Sequence, residues 1–142
     1  MTIPFWPDQL PRPMRQGFSR GLADGRQSTK NDGGPPRVRR QFSAAVSPVA
    51  MTVDLSLDDR ECFNRFWEAD TAGGSLPFWM QDPTLDGVPL MDDGGNVLID
   101  DAGNSLAIED WWLVLFDTQQ APSESVIGVR YRIAFGLMVL PT

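Results

Sequence analysis

Between Val49 and Leu55 every second residue is a large apolar one. Val49, Met51, Val53 and Leu55 alternate with Ala50, Thr52 and Asp54, the period-two pattern of a strand with one buried face. Residues 37–46 read as the preceding strand, paired with it in a hairpin around Ser47-Pro48. A helix is predicted over 57–71. Ser56 is its N-cap, Asp58 and Asp59 lie in its first turn, and Glu61 and Arg65 form an i,i+4 pair. Cys62, Phe63, Phe66 and Trp67 share one face, so Cys62 reads as a packing residue and not as a nucleophile. Gly73-Gly74 ends the helix, and Leu76 to Met80 forms a short strand stopped by Pro83. Trp111 to Phe116 is apolar on both faces. Ile127, Val129, Tyr131, Ile133, Phe135, Leu137 and Val139 then extend the alternation over seven positions, and as one strand this run would span ~40 Å, so it must bend at Gly128 or Gly136 or leave the core.

Two segments break this regularity. Residues 1–36 hold six prolines and five glycines and are expected to form an extended arm. Phe5, Trp6, Leu10, Met14, Phe18 and Leu22 make that arm too apolar for a solvated tail, so it should dock on a surface. Residues 84–110 contain a repeat with an eight-residue step. Pro89-Leu90-Met91-Asp92-Asp93-Gly94-Gly95-Asn96 is followed by Val97-Leu98-Ile99-Asp100-Asp101-Ala102-Gly103-Asn104. Each D-D-x-G-N block reads as a turn and each apolar triplet as a short strand, which makes the segment a hairpin insertion. The organisation expected is an arm over 1–36 and a single β-rich domain over 37–142.

Composition narrows the chemistry. The chain of 142 residues contains no His and one Cys, which excludes triads that need His, His-ligated metals, and zinc sites built from paired Cys and His. One Cys forms no internal disulfide, and no signal peptide or membrane-spanning stretch is visible, so a soluble intracellular or assembled protein is expected. Neither a cofactor nor a metal ion is called for. Asp92, Asp93, Asp100 and Asp101 offer oxygen ligands of the kind Ca²⁺ takes, but their spacing matches neither an EF-hand nor a glycine-rich calcium roll. Nothing marks a raised-pKa acid of the sort a glycosidase pair needs.

Charge is distributed unevenly. Residues 1–40 carry eight cations against three acids, whereas the remainder carries four cations against sixteen acids. A basic arm precedes an acidic body, and the arm is expected to lie on that body in its own or a neighbouring subunit, with no specific nucleic-acid binding. The doublets Phe5-Trp6, Phe66-Trp67, Phe78-Trp79 and Trp111-Trp112 add a second constraint. Neighbours on a strand face opposite sides, so one ring of each strand doublet needs a covering layer from the helix, the arm or another subunit. Phe5, Trp6, Trp79, Arg37, Arg39, Arg40, Arg130 and Arg132 are therefore candidate subunit-interface residues. The competing use of Trp79, Trp111 or Trp112 is as platforms in a β-sandwich module that binds carbohydrate or a receptor.

The order of motifs resembles the minor tail proteins of long-tailed, siphovirus-type bacteriophages. The matching features are Gly17-Phe18-Ser19, the basic run Pro36-Arg37-Val38-Arg39-Arg40-Gln41-Phe42, a strand ending at Leu55, and a helix with Phe63-x-x-Phe66-Trp67. They continue with Gly73-Gly74, Leu76-Pro77-Phe78-Trp79, Pro83, and a terminal strand from Tyr131 to Leu140. The likeness spans residues 17–140, and the D-D-x-G-N repeat lies outside the minimal pattern. It implies a mainly β fold with one helix: a tail-tube-like β-sandwich or small barrel with a flanking helix and an extended N-terminal arm. It further implies a non-enzymatic virion protein, assembled in the host cytoplasm, that forms a homo-oligomeric ring at the tail tip between the tube protein and the baseplate hub. DNA would pass through such a ring transiently, with Asp92, Asp93, Asp100 and Asp101 as candidate lumen-facing residues.

Overall fold

The computed structural model describes residues 2–30, 32–41 and 44–141. The elements are β1 (Ser19–Arg20), β2 (Arg26–Thr29), β3 (Arg37–Arg40), β4 (Ser47–Leu55), α1 (Leu57–Arg65), a π-helical turn (Phe66–Asp70), β5 (Phe78–Gln81), β6 (Trp111–Phe116), β7 (Ser123–Ile127) and β8 (Arg130–Val139). The fold is mainly β with one helix. Its main sheet is antiparallel in the order β1-β4-β8-β6-β5, with β7 also on β8. One edge of β8 pairs with β4 along nearly its whole length. The other edge is shared by β7 near its start and β6 near its end.

The alternation in β4 does what its pattern requires. Val49, Met51, Val53 and Leu55 are buried and face Ile133, Phe135 and Leu137 of β8, Val114 and Phe116 of β6, and Phe78 and Met80 of β5. Ser56 Oγ accepts the Asp59 N–H and caps α1. This helix lays Phe63, then Phe66 and Trp67 from the turn that follows, over the same sheet face. Cys62 is half-buried against that core. Phe66 meets Phe78 edge-on at 5.0 Å between centroids, Trp67 meets Phe116 at 4.8 Å, and Phe78 lies 5.1 Å from Phe116. Such rings contribute large buried areas and favourable edge-to-face geometry. Gly74 closes the helical segment with φ of +85°, and a Cβ there would sit 2.4 Å from the Trp67 ring. Both the positive φ and the close approach call for glycine.

The N-terminal segment lies across this sheet and bonds to both of its ends. Trp6 N–H donates to the Trp79 carbonyl at 2.7 Å and Trp79 N–H to the Pro4 carbonyl at 2.9 Å, which adds residues 4–6 to the free edge of β5. The chain then crosses the core face, burying Leu10, and reaches the opposite edge. There Met14 N–H bonds the Thr52 carbonyl at 2.8 Å and β1 pairs with β4. One short segment thus supplies the outermost backbone partner at both ends of the sheet.

Three expectations are corrected. Residues 37–46 do not pair with the strand after them. β3 pairs with β2, with Arg26 opposite Arg40 and Thr29 opposite Arg37, while Ser47 and Pro48 open β4 instead of forming a turn. Phe42 and Ser43, within the expected strand and the basic run, lie outside the described residues. The apolar alternation from Ile127 to Val139 is two strands, not one. Ile127 pairs with Arg130 across Gly128-Val129. A two-residue loop preserves the period of two, so a hairpin and a continuous strand have the same pattern. Finally, Trp6 packs inside its own chain. It stacks on Phe78 at 6.0 Å and lies 5.7 Å from both Phe66 and Phe135, because the arm returns over the core face.

Replacing Trp6 with Ala removes the ring that joins strap, helix and sheet. It is expected to lower unfolding free energy by about 3 kcal/mol, the usual cost of emptying an aromatic core site. Replacing Phe5, a residue 58% exposed, with Ala should cost less than about 1 kcal/mol. Urea titration followed by tryptophan fluorescence checks both, and equal losses would mean that the strap does not close the core.

Candidate assembly surfaces

The hairpin insertion leaves β5 at Asp82 and returns to β6 at Asp110, and its neck is built from three aspartates. Asp82 N–H donates to the Asp110 carbonyl at 2.9 Å, and Asp110 N–H donates to Asp86 Oδ1 at 3.3 Å. Asp82 is fully buried, with Oδ1 accepting both the N–H and the hydroxyl of Thr84 at 2.8 and 2.6 Å. Its Oδ2 has no donor among the described residues. The Asp110 carboxyl lies beside it, and its pKa is raised, first by burial and then by its hydrogen bond to Asp82. A neighbouring carboxylate disfavours the charged form of Asp110 in the same direction as burial does. Arg12 of the strap donates from Nη1 to the Asp86 carbonyl at 3.1 Å and ties the neck to the arm.

Beyond the neck the repeat forms a small closed prism. Leu98 N–H donates to the Leu90 carbonyl, Leu106 N–H to the Leu98 carbonyl, and Leu90 N–H to the Leu106 carbonyl, each at 2.9 Å. The three leucines sit eight residues apart, and each is 39% exposed, as expected of pseudo-threefold equivalents. Two corners of the prism are the D-D-x-G-N turns. Asp92 Oδ1 accepts the N–H groups of Gly94 and Asn96, and Asp100 Oδ1 accepts those of Ala102 and Asn104. These bonds, the one to Asn96 foremost, lower the Asp92 pKa. Asp93 and Asp101 are exposed at the tips. The third arm, Ser105-Leu106-Ala107, lacks the acidic turn and escaped the repeat. The eight-residue leucine spacing is the signal that finds it.

The β2–β3 ribbon is the other projecting element. All eight of its strand residues are exposed, and it packs on no other strand or helix among the described residues. Arg37 and Arg39 alternate with Val38, which is 55% exposed, and Arg39 donates to Gln27 Oε1 at 3.2 Å. Arg40 stands opposite Arg26 across the ribbon, a like-charge pairing that Asp24 relieves. Asp24 takes Arg26 through Nε at 2.8 Å and Nη2 at 3.0 Å, and this pairing holds its pKa at about 2.

The remaining candidates are distributed over the body. Phe5 meets Trp111 edge-on at 5.6 Å, and Trp79 is half-buried beneath the strap backbone. Trp112 is buried, with the Arg20 guanidinium 5.5 Å from its ring centre, and Trp111 donates to Glu109 at 2.9 Å. Each of these rings has a contact within its own chain, and Trp111 also lines an open cleft with Trp6, Arg12 and Met80. Arg130 reaches Asp54 Oδ1 at 3.2 Å. Arg132 is partly covered, with a buried Nε lacking a partner among the described residues. Phe5 with Trp79, the ribbon arginines, and Arg130 with Arg132 therefore occupy separate places. No helix among the described residues is long and apolar enough to cross a membrane.

The chain is similar in structure to a chain of the virion of a native gene transfer agent (GTA) particle, with a TM-score of 0.55 and 18% sequence identity over 99% of this chain and 97% of that one. At this identity the likeness shows a shared fold. No protein-family model and no curated protein matches the chain.

The raised Asp110 pKa makes the neck pH-sensitive. The folded state holds this proton more tightly than the unfolded chain does. The contribution is therefore present in acid and lost as pH rises from the ordinary carboxylate value through the raised one. Asp110→Asn supplies a permanent donor toward Asp82 and is expected to stabilise the protein at neutral pH by about 1 kcal/mol. It should also flatten the melting temperature against pH just above the carboxylate range, as read by circular dichroism. An unchanged pH profile would show that the folded state holds the Asp110 proton no more tightly than the unfolded chain does.

Proposed function

We propose that this chain is a non-enzymatic structural component of a phage-like virion, forming a ring at the tail tip that joins the tail tube to the baseplate hub. The observation that carries the virion reading is the likeness to a GTA virion chain, which runs over almost the full length of both. The arrangement of the molecule supports the reading mechanically. A strap-closed body holds two projecting elements, the β2–β3 ribbon and the leucine prism, whose surfaces are poorly covered by their own chain. Elements of that kind cover sister molecules or neighbouring tail proteins in an assembly.

The test is mass spectrometry and electron cryo-microscopy of particles purified from producing cells. Several copies of the chain per particle, in ring density at the tip that vanishes with the gene, are the expected result. Particles that lack the chain altogether would overturn the virion reading. Density elsewhere along the particle would overturn the tip placement alone.

A further inference from the structure

The two projecting elements are opposite in charge. The prism over residues 88–107 carries four aspartates and no cation, whereas residues 26–40 carry five cations and one acid. The prism also exposes Met91, Val97 and Ile99 beside its three leucines, and the ribbon exposes Val38 between Arg37 and Arg39. Among the described residues the ribbon packs on no other strand or helix. The ion pairs among the described residues leave out Asp93, Asp101, Arg37 and Arg39. An isolated two-stranded ribbon is only marginally stable in water, so β2–β3 has reason to rest on another surface.

We propose that the acidic leucine prism of one copy docks on the basic β2–β3 ribbon of the next, so that Asp93 and Asp101 meet Arg37 and Arg39 around an apolar centre of prism side chains and Val38. The proposal rests on the ring reading above and names the contact that would build the ring. Such a contact is heterologous: each copy offers two different surfaces, a prism and a ribbon, and repetition closes a ring when the rotation allows. Asp92 and Asp100 stay with their own turns, since their Oδ1 atoms already accept two backbone N–H groups each. Asp93 and Asp101 are the acids left to face a partner. The charge pairs set register and speed encounter, and the apolar centre excludes water.

Charge exchange tests the contact on the full chain. One variant carries Arg37→Glu with Arg39→Glu, and the other carries Asp93→Lys with Asp101→Lys; all four positions are exposed, and thermal melts confirm that both variants fold. Sedimentation velocity of the wild-type chain should show self-association that weakens with salt. Each variant alone should associate at least about tenfold more weakly, because like charges now oppose each other. An equimolar mixture should recover association, because each variant's prism then meets the other's ribbon with opposite sign. Wild-type-like association of both single variants, or a mixture no better than its parts, would overturn this contact while leaving the ring in place. Aspartates that instead line a bore would give the first of these results. A wild-type chain that stays monomeric to millimolar concentration would overturn the contact and the ring together.

Discussion

The fold depends on one segment, with almost no regular structure of its own, that bonds to both ends of the main sheet. Residues 4–6 extend β5 at one edge, residues 14–20 bond to β4 at the other, and the stretch between them carries Trp6 and Leu10 across the core. Sheet edges are otherwise places where unpaired N–H and C=O groups invite other chains. Here both ends of the main sheet are occupied by the same strap, and its rings fill the space that α1 leaves open. Two rings touch helix, β5 and β8 together, Phe116 from within the sheet and Trp6 from the strap, so the strap extends the aromatic cluster across the core face.

Closure frees the rest of the chain to project. The insertion between β5 and β6 is anchored at its neck by Asp82, Asp86 and Asp110, with Arg12 linking that neck to the strap. Beyond it the backbone closes on itself through the three leucine hydrogen bonds, so the prism holds its shape with little help from the body. The ribbon is held more lightly, by its own ladder and the Asp24–Arg26 pair. A rigid body with two arms of opposite charge is a shape suited to repeated assembly.

How much of this was legible from the chain depends on which residues are considered. The β4 alternation, the Ser56 cap and the aromatic face of the helix are local patterns whose period alone decides the element. The D-D-x-G-N turns were legible for the same reason, since Asp, Gly and Asn encode their geometry within five residues. Partner choice was not. β3 could pair forward with β4 or back with β2, and both options satisfy its composition. The run through Gly128 keeps its period whether or not the chain reverses there. Trp6 carries no sign of which chain's core it fills.

The amino-acid order by itself determined a mainly β chain with one capped helix, an arm too apolar to remain in water, a repeated acidic turn, and a basic-to-acidic division of charge. Each follows from interactions within a few residues. Only the tertiary structure decided that the arm closes its own sheet, that three leucines complete a ring of hydrogen bonds, and that Asp82 and Asp110 come to share a buried neck. Those outcomes depend on contacts between residues distant in the chain, where loop closure and the filling of one common core select among pairings that local pattern leaves equal.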